Sequence, residues 1–206
     1  MQNAKEKIRQ IALTRRRSLI NDEKINASKA ITNAIIKSNY FIEAESIGCY
    51  LSMNEEVNTK FLIEVIQKSG KSLFLPKIQP NATINFIQTN KDTKYSSNQY
   101  GIKEPLDNKG YDIKKIDLII VPLVAFDSKG NRIGMGGGYY DKKFQYLNHN
   151  DIKPILIGIA FDCQQFKKIQ SSLKFLITVF VKSEIEILLT WDDFIILSST
   201  SVMFLT

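Results

Sequence analysis

The feature that most constrains this chain is an apolar run, Leu118 to Phe126, that gives way abruptly to a glycine-crowded polar segment. Residues 127 to 141 read Asp-Ser-Lys-Gly-Asn-Arg-Ile-Gly-Met-Gly-Gly-Gly-Tyr-Tyr-Asp, placing five glycines, an arginine, two tyrosines and two carboxylates behind a buried strand. Gly134, Gly136, Gly137 and Gly138 carry no Cβ, so backbone N–H groups can approach an anion closely. The residues that follow read as a helix through Leu147, whose N-terminus favours negative charge. Arg132 could grip phosphate oxygens with a bidentate fork. The segment looks like a phosphate-handling loop, and a tight strand-to-helix turn without a ligand is the plainer alternative. Two familiar loops are excluded: a Walker A ends in Gly-Lys-Ser/Thr, and the dinucleotide pattern needs a third glycine where Tyr139 stands.

Around this unit the chain repeats strand and helix patterns. A basic helix is expected over residues 3 to 19, with Ile8, Ile11 and Ala12 on one face and Lys5, Lys7, Arg9, Arg15, Arg16 and Arg17 on a solvated one. Asn21 or Asp22 can cap a second helix in which Ala27, Ala30, Ile31, Ala34 and Ile35 keep helical spacing. Strands are expected at Ile47 to Ser52, Ser72 to Ile78, around Ala82 to Thr89, at Asp117 to Pro122, at Pro154 to Phe161 and at Phe175 to Val181. A helix carrying Phe61, Leu62, Val65 and Ile66 ends at Gly70. Pro105 keeps Tyr100 to Pro105 irregular. The alternation predicts one α/β domain over residues 1 to 206, a sandwich with a largely parallel sheet and its ligand site beyond the carboxyl ends of the strands.

A formal charge of +7, from 28 Lys and Arg against 21 Asp and Glu, suits a polyanion such as a nucleotide or polyglutamate, or else nucleic acid. Arg15-Arg16-Arg17 is the one candidate nucleic-acid surface, but no recognition motif accompanies it. Cys49 and Cys163 are far apart within apolar runs and read as buried thiols, which suits a reducing cytoplasm. His149, the single histidine, sits among asparagines as a loop residue, so no histidine-based triad can be assembled. The polar N-terminus and the shortness of the apolar runs predict a soluble chain without a membrane span.

Four separated segments resemble one family. They are Lys5-Glu6-Lys7-Ile8-Arg9, Leu51-Ser52-Met53-Asn54-Glu55-Glu56-Val57-Asn58-Thr59, Tyr100-Gly101-Ile102-Lys103-Glu104-Pro105 and the glycine segment. In this order they are similar to the 5-formyltetrahydrofolate cyclo-ligases, also called methenyltetrahydrofolate synthetases, over about residues 3 to 165. The resemblance implies a three-layer α/β/α sandwich and a monomeric cytoplasmic enzyme acting on 5-formyltetrahydrofolate with ATP as co-substrate and Mg2+. Lys5 and Arg9 would contact the ATP phosphates, and Arg132, Gly134, Gly136, Gly137, Gly138, Tyr139 and Tyr140 would wrap the triphosphate. Met135, Tyr139 and Leu51 would border the folate, and Glu56 would accept from the pterin's donor face. Arg132 and Tyr139 would be the catalytic pair, and Asp141 would bind magnesium. Taken singly, Lys5 is equally a solvated lysine, Glu56 a surface carboxylate, Tyr140 a core residue and Asp141 a first-turn helix charge.

The resemblance stops after the Phe-Asp-x-Gln-Gln stretch at Phe161 to Gln165. From residue 166 the chain shifts toward Ile, Leu, Phe, Ser and Thr, and the family's second magnesium-binding aspartate has no counterpart. Three readings are open: a divergent terminus, a compensating carboxylate such as Asp162, or a reading-frame change near residue 166, which the compositional shift favours. A replaced tail is expected to leave a sheet edge uncovered. A folate or nucleotide binder impaired in catalysis is therefore the alternative function.

Overall fold

The computed structural model describes residues 2–80, 82–145, 147, 154–169 and 178–181. His149 and residues 170–177 and 182–206 lie outside the described residues.

Helix α1 (Gln2–Arg17) buries Ala12 and Leu13 and is followed by α2 (Asn21–Lys37), whose stripe of Ala27, Ile31, Ala34 and Ile35 is buried. The start of α2 is not capped by Asn21 or Asp22. Its cap is Ile20, and the Glu23 carboxylate reaches back to accept from the Ile20 N–H at 3.0 Å. A short α3 (Asn39–Glu43), which the sequence did not suggest, leads into β1 (Ser46–Gly48). The first strand is thus half its expected length. At Gly48 a Cβ would stand 3.0 Å from the Phe86 ring and 3.1 Å from Ile119, so a glycine lets three strands close on one another.

Helix α4 (Lys60–Lys68) runs to β2 (Ser72–Ile78), which pairs antiparallel with β3 (Ile84–Thr89). The stretch expected to be irregular is instead a small antiparallel hairpin, β4 (Tyr95–Ser97) with β5 (Lys103–Pro105). Glu104, buried in β5, fixes it to the main sheet by accepting from the Ile78 N–H at 3.1 Å and from Asn98 Nδ2 at 2.7 Å. Then come β6 (Leu118–Val121), β7 (Ala125–Asp127) and β8 (Arg132–Ile133), followed by α5 (Tyr139–Phe144). Helix α5 stops before the expected Leu147, with Gln145 as its cap. Strands β9 (Ile155–Ile159), β10 (Gln165–Phe166) and β11 (Thr178–Phe180) complete the described chain.

The main sheet has the order β11-β9-β6-β1-β2-β3, parallel throughout except for β3. Alternate residues serve opposite faces. Ile47, Leu73, Leu118, Ile120, Ile157 and Phe180 face the stripes of α2 and α4, while Phe74, Ile119, Val121, Leu156 and Val179 pack with Phe126 and Phe144. Both faces are covered, as a parallel sheet requires. A third cluster joins α1 to β7 and β8 through Ala12, Leu13, Val124, Ala125 and Ile133.

The expected bare edge is not found beside β9. Residues 178–180 pair with Ile157 to Ile159 in parallel, and Val179, Phe180 and Val181 are buried. Gln164, buried at the 161–165 stretch, staples this region to the segment between β6 and β7 by donating Nε2 to the Leu123 and Val124 carbonyls at 3.2 and 2.9 Å. No helix among the described residues is long and apolar enough to cross a membrane. Cys49 is buried, its thiol pushed up to about 12 by desolvation, whereas Cys163, expected to be buried, is half-buried.

Candidate active site

From β1 the chain turns through α4 to one side of the sheet, and from β6 it turns through α5 to the other. The switch point therefore lies between β1 and β6, where such sheets open a crevice beyond their carboxyl ends. A cleft of about 610 Å³ occupies that place, and Tyr50 and Leu51 after β1 and Pro122 and Leu123 after β6 line it. Lys5, Arg9, Leu51, Glu56, Arg132, Gly134, Met135, Gly136, Gly137, Gly138, Tyr139, Tyr140 and Asp141 all line this single cleft.

The glycine segment owes its shape to Asp127. This buried carboxylate accepts from the Lys129 and Asn131 N–H groups, each at 3.0 Å, from Asn131 Nδ2, and from the Ile169 N–H at 2.8 Å. The turn so formed sends the chain back along β8 and delivers Arg132 to the cleft floor, where it is 6% exposed. Its guanidinium is ion-paired to Asp141, one helical turn into the site. Burial pulls Arg132 below its ordinary value and the Asp141 charge opposes that pull. Gly136 and Gly138 take left-handed backbone angles, φ 111° and 67°. At Gly137 a Cβ would fall 2.5 Å from the Tyr139 ring, so these positions accept no side chain without moving a wall of the site.

Helix α1 closes the cleft from above. Arg9 donates Nε to the Gly134 carbonyl at 2.9 Å, packs its guanidinium over Gly136 and pairs with Glu6. Lys5 stands one turn earlier on the same helix. Opposite, the Tyr139 phenol hydrogen-bonds the Tyr100 phenol at 2.8 Å, with the rings edge to face at 78°. That bond is the main cause raising Tyr139 above the usual phenol value. The Tyr140 phenol is pushed up chiefly by desolvation.

The remaining wall is the turn after β1. Glu56 Oε2 accepts from the Met53 N–H at 2.9 Å. Burial raises its carboxyl above the ordinary range, and the Met53 N–H and the Arg16 charge hold it back.

Sequence reading missed several lining residues. Tyr50, Met53, Asn98 and Glu104 enter the cleft through backbone turns and the β4–β5 hairpin, which have little periodic signal. It also mistook the arginine run. Arg16 is buried, Arg17 pairs with Glu55 and Arg15 lies over the Phe166 ring at 4.8 Å, so the three do not form an open cationic surface. The Ala12-Leu13 pair places Arg16 on the buried stripe at helical spacing, and that signal was available. Asp162 does not line the cleft. Among the described residues no group of three or more His, Cys, Asp or Glu side chains gathers as a metal cluster.

A mostly parallel α/β sheet with a glycine-lined crevice at its switch point defines a small-molecule enzyme of the α/β class. The chain belongs to the 5-formyltetrahydrofolate cyclo-ligase family, whose profile matches residues 1–172, and is by that membership a ligase. It is 37% identical to the 5-formyltetrahydrofolate cyclo-ligase of Haemophilus influenzae over 131 residues, 62% of this chain and 69% of that one. The Escherichia coli K12 cyclo-ligase is 32% identical over 159 residues, covering 75% and 86% respectively. The solved structure of Aquifex aeolicus 5,10-methenyltetrahydrofolate synthetase shares the fold, with a TM-score of 0.78 at 24% identity over 95% of this chain and 97% of that one.

Proposed function

We propose that this chain converts 5-formyltetrahydrofolate to 5,10-methenyltetrahydrofolate, consuming ATP with Mg2+ and releasing ADP and phosphate. One observation carries the reading: residues from three distant segments, Lys5 and Arg9, Leu51 and Glu56, and 132–141, converge on one cleft. The formyl oxygen attacks the γ-phosphorus and ADP departs, leaving a phosphorylated formyl carbon that is strongly electrophilic. The N10 nitrogen closes on that carbon and loses its proton, and expulsion of phosphate leaves the methenyl bridge.

This chemistry needs positioning and charge neutralisation more than acid-base groups. Lys5, Arg9 and Arg132 supply cations around the glycine backbone, and Arg132 is held ready by its pair with Asp141. Leu51, Met135 and Tyr139 offer apolar and aromatic contact to the flat pterin, and Glu56 an acceptor for its N–H donors. Asp141 is 39% exposed at the cleft, which fits an ion that takes few protein carboxylates beside phosphate oxygens. Asp141 and the nucleotide would hold Mg2+, whose contribution is to neutralise charge on the transferring phosphoryl group. A cytoplasmic monomer working on small molecules belongs to the same reading.

A second reading, binding without turnover, is favoured by the cleft's carboxylates. Glu56 is engaged by Met53, Glu104 by Ile78 and Asn98, and Asp141 by Arg132, so each of these cleft carboxylates already has a partner within the protein. Absorbance in the methenyl band after mixing protein, 5-formyltetrahydrofolate, ATP and Mg2+ tests both. Growth that needs every component and is lost in Asp141→Ala supports the cyclo-ligase, whereas folate binding without growth supports the binder.

A further inference from the structure

Three consecutive arginines end α1, and the fold uses each differently. Arg17 is exposed and donates Nε to both carboxylate oxygens of Glu55 at 3.2 Å. Arg16 points inward with its side chain 5% exposed. Its Nη2 stands 3.9 Å from Glu55 Oε2, and its Nε has no hydrogen-bond partner. Burying a guanidinium against so loose a partner costs stability, so local packing alone gives no reason for a cation here.

What lies around Arg16 supplies the reason. The groups facing Glu56 are Arg16 from α1, Tyr50 after β1, Tyr140 from α5, and the Met53 N–H within its own turn. Arg16 is the positive side chain acting on Glu56, and it also favours the ionised form of Tyr50. Arg16 itself does not line the cleft, so it stands behind the wall that Tyr50 and Glu56 present to a ligand.

We propose that Arg16 is a positioning residue for the folate end of the cleft: its buried guanidinium, 3.9 Å from Glu55, ties the Glu55–Glu56 turn to α1 and so fixes Glu56 as an acceptor for the pterin's N–H donors. The inference rests on the reading of Glu56 given above. It gives α1 two tasks, Arg9 at mid-helix on the glycine segment and Arg16 in the last turn behind the folate wall.

The test compares Arg16→Met, Arg16→Lys and Arg17→Met in the intact chain, using steady-state turnover and equilibrium binding of 5-formyltetrahydrofolate without ATP. Arg16→Met is expected to weaken folate binding and raise its KM roughly tenfold while leaving the KM for ATP unchanged. The pH at which folate affinity falls on acidification should also move upward. Arg16→Lys should restore most of the affinity, Arg17→Met should behave as wild type, and Glu56→Gln placed on Arg16→Met should abolish the pH dependence. Wild-type folate affinity and pH profile in Arg16→Met would overturn the proposal. So would equal weakening of ATP and folate with a lowered melting temperature and no rescue by lysine. Wild-type protein that neither binds nor turns over folate would instead defeat the functional reading on which the proposal stands.

Discussion

The two walls of the cleft are built on opposite principles. The glycine wall has little side-chain bulk and is shaped by backbone angles, by the Asp127 hydrogen bonds and by the ion pair of Arg132 with Asp141. The wall after β1 is made of side chains, Tyr50, Leu51, Met53 and Glu56, in which one carboxylate is partly stripped of water. A wall of backbone donors and cations suits an anion whose position must be exact, whereas an apolar wall with one acceptor suits a flat heterocycle with a donor edge. Damage to the first should therefore appear in kcat, and damage to the second in the folate KM.

The largest effect is expected from Arg132→Met, which removes a buried cation from the glycine wall and leaves Asp141 unpaired. Turnover should fall by about three orders of magnitude, whereas Asp141, 39% exposed, can rehydrate, so the stability cost should stay within about 1 kcal/mol. The absorbance assay and a denaturant melt check the two separately. If only the melt changes, the arginine is a strut and the contrast between the walls collapses.

Gly137→Ala should follow. The new methyl cannot coexist with the Tyr139 ring, whose displacement breaks the bond to Tyr100. A misplacement on this scale is worth about a hundredfold in kcat with little change in melting. Glu56→Gln probes the other wall and should raise the folate KM roughly tenfold with kcat and the KM for ATP preserved. An equal fall in kcat would mean that the folate wall also acts in the transition state.

The smallest effect concerns stability. A carboxyl raised above its unfolded value holds its proton more tightly in the folded chain, so its ionised form opposes folding at neutral pH. Glu56→Gln should therefore melt slightly higher than wild type near pH 7. The gap should close as pH falls through the raised value toward the unfolded carboxylate range near about 4. A gap that widens on acidification would show that Glu56 is stabilised as the anion, and would remove the distinction drawn for this wall.

The sequence carried most of what positions the site, because its strongest patterns are the ones that tertiary structure also needs. The helical stripe of Ala27, Ile31, Ala34 and Ile35 and the continuous apolar run at Leu118 to Val121 became a covering helix and a strand buried on both faces. The glycine segment was legible because glycine takes the positive φ found at Gly136 and Gly138 without the cost a Cβ would add. The β4–β5 hairpin was not legible, since Tyr95–Ser97 is exposed throughout and its register is set by Glu104 reaching across to Ile78. Nor was the pairing of Arg132 with Asp141, which depends on how the chain turns back after β7. The arginine run hid a buried member because composition alone treats neighbours on a helix as equivalent.

The donors to the Asp127 carboxylate also set an order in time. Three of its contacts arise within the next four residues, but the fourth donor, the Ile169 N–H, is 42 residues downstream. The glycine segment is polymerised well before that donor, and β10, which braces β7 from the far side, comes almost as late. The glycine wall of the cleft is thus a late product of translation, completed after the wall at residues 50–56 has had more than a hundred residues' worth of synthesis in which to settle.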